Sequence, residues 1–511
     1  MDERIEHVIV LMMENRSFDH LLGYLDHPSS RFPNLDRIKP SCPVDPDHPE
    51  GRRVNTAPAA SYVLGTDPDH SHQAVMLQMF GREGTLGVGE PGMTGFIKSY
   101  ARQIAHGTLR PQSWWERIGS ALIKLFKRVW SWLTRSPGPI LATADEIMRC
   151  FPESEVPVLA FLAKQYAVLV NWFASVPGET WPNRQYAHAG TSHGTTNIEI
   201  GFYTDDTVFQ RLSEAGQSWD IYHDGVAHVW VYPKLWLSGV ERFHDMDRFF
   251  ADVERGTLPA YAFIEPNHGF GRGEGNSQHP GNNTIKGDSF LAGEALMARV
   301  YNALVANPAL FARTLLLITY DEHGGFFDHV PPDHEVSNPD GIDDPATGFD
   351  FRRTGVRVPA VAVSPLIAAG TVDDTFYDHA SIAATVRRRF APATATLGRR
   401  EAEATGVLDH VALLPEPRTD LPPFRRAEVT SAAGEAATGR RLNDLQASLV
   451  ELAGAVRVAR ERVVMEAVAP EVPAFIPDPT VQEAVATGVL LPGSPAEQAV
   501  NEVVDDFTRE D

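Results

Sequence analysis

Several segments of this chain are almost wholly apolar and have the length of buried β-strands. Residues 8–13 and 315–320 are nearly continuous runs of large apolar residues, and residues 260–264 and 358–363 follow the same pattern. Between such runs, apolar positions recur at helical spacing, as in residues 288–306. Continuous apolar runs are typical of strands that are buried on both faces. Their alternation with helices predicts an α/β fold with a largely parallel central sheet flanked by helices.

Paired oxygen ligands follow two of these runs at matching positions. Glu14 and Asn15 come directly after residues 8–13, and Asp321 and Glu322 come directly after the run that ends at residue 320. The carboxyl ends of parallel strands meet at one edge of a sheet, where ligands bind. The alternative is two ordinary strands with polar turns, but three carboxylates and an amide in matching places favour a split metal site. These ligands suit a hard divalent cation, Mg²⁺, Ca²⁺ or Mn²⁺, better than zinc.

Composition narrows the classes of function. The 511 residues are 43% hydrophobic and 22% charged, which is ordinary for a globular protein. Lys and Arg number 45 against 67 Asp and Glu, and the resulting net charge of −22 argues against a nucleic-acid partner. An anionic substrate would need a local positive centre, which bound metal cations supply.

Cysteine content and the N-terminus give expectations about redox state and location. Cys42 and Cys150 are the only cysteines, so the sequence has no disulfide framework, although one bridge between them stays open. The chain enters its first strand without the features of a signal peptide, and no stretch reaches the apolar length of a membrane span. We expect a cytoplasmic protein or one that is exported without a classical signal.

Two regions differ from the α/β pattern. Residues 113–135 form a basic amphipathic helical pattern with tryptophans on the apolar face, inside a predicted insert, residues 103–148. This pattern is typical of a helix that lies on a membrane surface, and the alternative is packing on the protein's own core or a dimer contact. After a predicted catalytic domain, residues 1–392, the remaining residues 393–511 predict a mostly helical accessory region.

A candidate nucleophile lies after another strand-like run, residues 166–173. Pro177 and Gly178 predict a tight turn that presents the hydroxyl of Thr180 at the end of this strand. A lone threonine there is normally a turn or capping residue. Coordination by a separate metal site would make its hydroxyl a competent nucleophile.

A competing motif, Gly190-Thr191-Ser192-His193-Gly194, fits the G-x-S-x-G nucleophile elbow. Its context disagrees with an elbow, because no apolar strand precedes it and the following residues 196–200 are strand-like rather than helical. His70 and His72, spaced by one residue in a loop, are candidate ligands or phosphate contacts, or else solvated loop residues. His379, before a predicted helix, is a candidate ligand, proton donor or structural residue.

Four long motifs, in this order along the chain, resemble those of a bacterial phosphoesterase family that includes phosphatidylcholine-preferring phospholipases C and respiratory-burst-inhibiting acid phosphatases. The resemblance runs from residue 5 to about residue 390, and it does not separate the phospholipases from the phosphatases. The motifs are Glu14-Asn15-Arg16-Ser17-Phe18-Asp19-His20, Pro177-Gly178-Glu179-Thr180-Trp181-Pro182-Asn183-Arg184, Gln278-His279-Pro280 and the segment from Tyr320 to Pro332.

The resemblance implies a core like that of the alkaline phosphatase superfamily and a role for each matching residue. Thr180 takes the place of the family's nucleophile and also contacts the metal, and His70 and His279 would contact phosphate or assist proton transfer. The metal would be held by Glu14, Asn15, Asp321 and Glu322.

We therefore expect a metal-dependent phospholipase C that hydrolyses the glycerol-side phosphodiester of phospholipids through a phosphothreonine intermediate. The alternatives are an acid phosphatase acting on soluble phosphomonoesters and a non-catalytic protein that binds lipid surfaces through residues 113–135. The expected partners are a phospholipid or small phosphoester and, through the same segment, a membrane surface. The oligomeric state stays open.

Overall fold

The predicted central sheet is present and has eight strands. The computed structural model describes residues 2–82, 89–109, 143–237, 240–282, 288–425, 440–466 and 473–508. The strands in these ranges are β1 (His7–Met13), β2 (Ser41–Pro43), β3 (Arg53–Asn55), β4 (Ala57–Pro58), β5 (Arg149–Cys150), β6 (Ala167–Leu169), β7 (Trp219–His223), β8 (Phe243–His244), β9 (Tyr261–Glu265), β10 (Thr314–Tyr320), β11 (Ala360–Val363), β12 (Thr371–Asp373), β13 (Arg440–Arg441) and β14 (Val489–Leu490).

The order of strands in the main sheet is β12-β6-β11-β10-β1-β9-β7-β8. Neighbouring strands are parallel except at β11, which is antiparallel to both β10 and β6. Every residue of β10 is buried, as are all but the first residue of β1. This burial explains the continuous apolar runs, and the predicted largely parallel α/β sheet is confirmed.

Helices cover the sheet, and the strongest helical predictions are confirmed, since the segment predicted at 288–306 is one helix with those bounds. The helices of the described ranges are α1 (Phe18–Leu22), α2 (Leu35–Ile38), α3 (His72–Phe80), α4 (Phe96–Leu109), α5 (Pro157–Gln165), α6 (Thr180–Ala189), α7 (Val208–Glu214), α8 (Met246–Arg255), α9 (Asp288–Ala306), α10 (Pro308–Phe311), α11 (Ala380–Phe390), α12 (Arg399–Glu403), α13 (Val407–His410), α14 (Asp444–Glu466), α15 (Pro479–Thr487) and α16 (Pro495–Thr508).

Three local predictions are wrong or too broad. Thr180 begins helix α6 instead of standing in a tight turn. Of the strand-like residues 166–173, only the three residues of β6 form a strand in the main sheet, because the chain then bends toward α6. Residues 196–200 form a loop and not a strand.

The C-terminal helices pack on the sheet domain as part of one apolar core. Phe507 of α16 packs against Trp230 in a tilted arrangement with ring centroids 4.4 Å apart and lies edge-on to Phe243 of β8 at 5.1 Å. Near the predicted boundary at residue 392, Arg400 donates to the carbonyl of Ser175 at 3.0 Å. The division at 392 stays a prediction.

Other predictions have mixed outcomes. Residues 113–135, the proposed membrane-surface helix, lie outside the described residues, as does most of the predicted insert 103–148. Cys42 and Cys150 are both free and buried, so the bridge left open by the sequence is not formed. In the described parts of the chain, no helix has the length and apolar character needed to cross a membrane.

Candidate active site

The two polar segments that follow β1 and β10 meet at the carboxyl edge of the sheet. Met13 and Tyr320 are partners at the ends of these parallel strands, so Glu14 and Asp321 emerge side by side. The Asp321 N–H donates to the Met13 carbonyl at 3.1 Å, and the Asn15 N–H donates to Asp321 Oδ1 at 2.9 Å. The two halves of the predicted metal site are therefore bonded directly to each other.

A close approach of backbones shapes this junction. Asn15 has a φ of 54°, a left-handed conformation that asparagine tolerates better than most residues. Gly324 has a φ of 63°, and a Cβ atom at this position would lie 2.2 Å from the Asn15 carbonyl oxygen. Only glycine fits at 324, and this explains the glycine that follows the Asp321 pair in the sequence.

Thr180 joins these residues from a third element. Its hydroxyl Oγ1 lies 3.3 Å from Glu14 Oε2 and 3.3 Å from Asn15 Oδ1, and the residue is buried. We call Glu14, Asn15, Thr180, Asp321 and Glu322 the oxygen cluster. The structure thus brings together the residues that the sequence proposed as metal ligands.

The segment before Thr180 is held rigidly by side chains of the same motif. Asn183 Oδ1 accepts from the Val176 N–H at 3.0 Å, and Asn183 Nδ2 donates to the Glu179 carbonyl at 3.0 Å. A Cβ atom on Gly178 would lie 1.9 Å from the Thr196 carbonyl oxygen, so the chain passes close to a neighbouring loop here. Thr180 is the first residue of a ten-residue helix, where the N–H groups of Thr180 and Trp181 and the helix dipole favour an anion.

The oxygen cluster carries lone pairs that no described residue satisfies. In the described parts of the chain, buried Asp321 Oδ2 and Glu322 Oε1 have no hydrogen-bond partner, and Asp321 Oδ2 has only an ion-pair contact with Arg184 at 3.5 Å. Burial raises the pKa of Glu14 well above its usual value, and the nearby Asp321 adds to this shift. Buried oxygens with excess negative charge are what a hard divalent cation coordinates, so the residues fit the predicted metal.

Arg184 is a part of the site that sequence reasoning left without a role. Its guanidinium is fully buried and contacts Glu14 Oε1 at 2.5 Å, Glu265 Oε1 at 3.0 Å and Asp321 Oδ2 at 3.5 Å. Burial alone would raise the pKa of Glu265, but Arg184 and His268 outweigh it and lower the pKa to about 2. Arg184 thus fixes the positions of the Glu14 and Asp321 carboxylates.

Two sequence signals could have identified this ion network. Glu265 ends β9, the other parallel neighbour of β1, so it emerges at the same sheet edge as Glu14. Arg184 lies four residues after Thr180 in α6 and therefore on the same helix face.

His70 and His279 stand together beside the oxygen cluster, with ring centroids 5.7 Å apart. His70 donates from Nδ1 to the Pro68 carbonyl at 2.8 Å, and its Nε2 lies 3.3 Å from Asn15 Nδ2. His279 Nδ1 accepts from the Gly281 N–H at 3.0 Å, so its proton is on Nε2, which is buried and has no hydrogen-bond partner among the described residues.

The two histidines have opposite electrostatic surroundings. Burial acts to lower the pKa of His70, but the carboxylates of Glu322 and Asp67 outweigh it and raise the pKa to about 10. Burial and the neighbouring His70 lower the pKa of His279 well below its usual value. The carboxylates thus favour the imidazolium form of His70, whereas His279 is a neutral donor through Nε2.

The remaining candidates have supporting positions. His72 is buried and its Nδ1 donates to the Pro177 carbonyl at 2.6 Å, so it supports the segment before Thr180. His379 Nε2 donates to the Asp321 carbonyl at 2.5 Å and positions that loop. Ser192 follows a helix and donates to the Thr195 carbonyl at 2.7 Å, which agrees with the rejection of a nucleophile elbow.

Comparisons with known proteins show the family of this chain. The Phosphoesterase family matches residues 5–391. Non-specific phospholipase C6 of Arabidopsis thaliana is 33% identical over 88% of this chain and 80% of its own length, and hemolytic phospholipase C of Pseudomonas aeruginosa is 24% identical over 76% and 53%. Among solved structures, an alkaline phosphatase superfamily protein from Vibrio parahaemolyticus is 13% identical, with a TM-score of 0.29 over 49% of this chain and 64% of that chain. The chain belongs to the phosphoesterase family.

Proposed function

We propose that this protein is a phospholipase C that hydrolyses the glycerol-side phosphodiester of phospholipids, with Thr180 as the nucleophile. The observation that carries the proposal is the position of Thr180 Oγ1, buried at a helix N-terminus and 3.3 Å from both Glu14 and Asn15. Relatives that match most of this chain are named non-specific phospholipases C, and these names support a phospholipid phosphodiester as the substrate.

A divalent cation fits the oxygen cluster, with Glu14, Asn15, Thr180, Asp321 and Glu322 as its ligands. When bound, it would supply positive charge that lowers the pKa of the Thr180 hydroxyl and offsets charge on the phosphoryl oxygens. The unsatisfied oxygens of Asp321 and Glu322 support this assignment. Mg²⁺, Ca²⁺ and Mn²⁺ are all compatible with oxygen ligands.

In the first half-reaction, the Thr180 hydroxyl passes its proton to Glu14 Oε2, to which it donates. Thr180 Oγ1 then attacks phosphorus, and the bond from phosphorus to the glycerol oxygen breaks. The departing alkoxide takes a proton, which we assign to the imidazolium of His70, and leaves as diacylglycerol. Asn15 cannot accept the His70 Nε2 proton, because the facing Asn15 atom is a donor, so this proton is available to the substrate. Thr180 then carries the phosphate with its headgroup.

In the second half-reaction, neutral His70 removes a proton from water, and the water oxygen attacks phosphorus. The bond between phosphorus and Thr180 Oγ1 breaks, the headgroup phosphate is released, and Thr180 Oγ1 takes back its proton from Glu14 Oε2. In both halves, His279 donates its Nε2–H to a phosphoryl oxygen, and the N-terminus of α6 adds further N–H donors. The charge that builds up on the phosphoryl group is thereby stabilised.

A product assay tests the proposal. With phosphatidylcholine vesicles and each candidate cation, we expect equal amounts of phosphocholine and diacylglycerol and no inorganic phosphate. Thr180→Ala should lose this activity, and Thr180→Ser should retain part of it because the hydroxyl is kept. Release of inorganic phosphate from soluble monoesters, with vesicles left intact, would assign the chain to the phosphatases instead. Vesicle binding without any product would indicate the lipid-surface binding protein.

A further inference from the structure

The accessory region reaches the candidate active site at one residue. Asn443 precedes helix α14, and its Oδ1 accepts from the Gln446 N–H at 2.7 Å. Its carbonyl oxygen accepts from the Ala447 N–H at 2.9 Å. Asn443 is therefore the N-cap of α14, and this bond fixes the direction of its side-chain amide.

The amide nitrogen of Asn443 faces a histidine of the site. Asn443 Nδ2 lies 3.5 Å from His279 Nδ1, the same nitrogen that accepts from the Gly281 N–H. The place is tightly packed, because a Cβ atom on Gly281 would lie 2.9 Å from Asn443 Nδ2 and 2.2 Å from Asp67 Oδ2. Two N–H donors therefore face one nitrogen of His279.

A second contact anchors the start of α14 to the ion network behind the site. Gln446 Nε2 donates to the His268 carbonyl at 2.9 Å, and His268 Nε2 lies 2.9 Å from Glu265 Oε1. Leu445 and Leu449 are buried in the main core. The position of Asn443 relative to the site is thus set by contacts on both sides of it.

We propose that Asn443 is a positioning residue for catalysis: together with the Gly281 N–H, it keeps His279 Nδ1 as an acceptor and so keeps the proton on Nε2, facing the phosphoryl group. This inference rests on the proposed function, in which His279 is a hydrogen-bond donor. A neutral histidine has one N–H, and a donor placed at one nitrogen selects the tautomer with the proton on the other. The accessory region would then contribute to catalysis through one side chain.

Substitutions that keep the helix cap separate positioning from stability. Serine and aspartate are both good N-cap residues, so Asn443→Ser and Asn443→Asp preserve the cap of α14 while removing the amide donor. Asn307, the N-cap of α10, uses Oδ1 for the Leu310 N–H and Nδ2 for the Val253 carbonyl, far from the site in the fold. Asn307→Ser and Asn307→Asp are therefore matched controls.

The kinetic measurement is phosphocholine release from phosphatidylcholine vesicles by the full chain. We expect Asn443→Ser to lower kcat about three- to ten-fold, the size of one net hydrogen bond, with KM little changed. Asn443→Asp, which puts an acceptor next to Nδ1, should in addition shift the pH profile of kcat. The Asn307 variants should match wild type.

A second readout does not depend on turnover. The ¹⁵N shifts of His279, identified by their loss in His279→Gln, should show a protonated Nε2 in wild type and a smaller fraction of this tautomer in Asn443→Ser, in which only the Gly281 N–H still faces Nδ1. Wild-type kcat and an unchanged tautomer in both Asn443 variants would overturn the inference while leaving the phospholipase proposal intact. If wild type releases no phosphocholine, the phospholipase proposal fails, and the tautomer readout still decides the role of Asn443.

Discussion

The oxygen cluster and a second buried group of charges both contain residues from the segments that follow β1 and β10, but only in the oxygen cluster are carboxylate oxygens left without a hydrogen-bond donor among the described residues. The second group consists of Asp19, Asp328, His329 and Arg357, and we call it the ion-pair cluster. The segment after β1 and the segment after β10 each supply residues to both clusters. The two clusters therefore lie in nearly the same part of the fold and can be compared directly.

In the ion-pair cluster, every carboxylate oxygen has a donor. Asp19 Oδ1 pairs with Arg357 at 2.9 Å, and Asp19 Oδ2 accepts from the backbone and Nδ1 of His329 at 2.8 and 2.7 Å. Asp328 Oδ1 accepts from the Val330 N–H at 2.9 Å, and Asp328 Oδ2 accepts from the Asp19 N–H at 3.0 Å. This cluster fastens the two segments together.

The difference shows what marks a functional group of ligands. Asp19, Asp328 and His329 also place three potential ligand atoms within 4.8 Å of one another. Their lone pairs are already occupied by N–H groups, whereas no described residue forms a hydrogen bond with Asp321 Oδ2 or Glu322 Oε1 in the oxygen cluster. Unsatisfied buried oxygens, and not proximity alone, point to the cation site.

The largest expected effect comes from neutralising a carboxylate in the oxygen cluster. Asp321→Asn or Glu322→Gln should lower divalent cation affinity and phospholipase activity at least about 100-fold, because even groups behind metal ligands contribute that much. Without cation, Glu322→Gln should unfold at a temperature close to that of wild type, because it lowers the negative charge of the cluster but also removes a carboxylate that faces His70. Calorimetric titration and thermal unfolding in chelator measure both. A clear loss of stability in chelator would make this cluster structural, like its neighbour.

The next effect is on stability and comes from the ion-pair cluster. Arg357→Ala should lower the free energy of unfolding by about 3–5 kcal/mol, because it leaves buried carboxylates without their cation. Urea unfolding measures this change. The folded fraction should still bind the divalent cation, with affinity close to wild type. If Arg357→Ala were as stable as wild type, the ion-pair cluster would not have the structural role that separates it from the oxygen cluster.

The smallest expected effect is a pH dependence of protein stability that comes from His379, the histidine bonded to the Asp321 carbonyl. Burial lowers the pKa of His379 from 6.5 to about 4, although its bond to the Asp321 carbonyl opposes the shift. Between these values the unfolded chain binds a proton that the folded chain does not, so stability falls as pH decreases from 6.5 toward 4. His379→Gln should reduce this fall, as measured by urea unfolding at several pH values. An identical slope in wild type and variant would contradict the shift.

Much of the fold, and the ligand pairs that follow β1 and β10, could be predicted from the apolar runs and the polar residues at their ends. The apolar runs of β1 and β10 are unambiguous because both strands are buried on both faces, and paired polar residues at their ends could only meet if the strands were parallel neighbours. The helix at Thr180 was missed because Pro177 and Gly178 favour a turn, and α6 is held by Asn183 and by packing against distant loops. Local sequence carries no signal of those contacts.

The supporting residues were harder to predict because they depend on tertiary packing. Arg184 is recognisable only when Glu14, Glu265 and Asp321 are known to converge on it. Asn443 lies 164 residues after His279, and nothing near it in sequence suggests an active site. Its role follows from the way α14 docks on the sheet domain.

The most direct test is to trap the covalent intermediate on Thr180. The protein, loaded with divalent cation, would be mixed with a chromogenic phosphodiester, quenched within the first turnover and digested for peptide mass spectrometry. We predict a burst of chromophore equal to the enzyme concentration and a headgroup phosphate on the peptide at Thr180, both absent in Thr180→Ala. Steady turnover with no adduct, or an adduct on another residue, would contradict a nucleophilic role for Thr180.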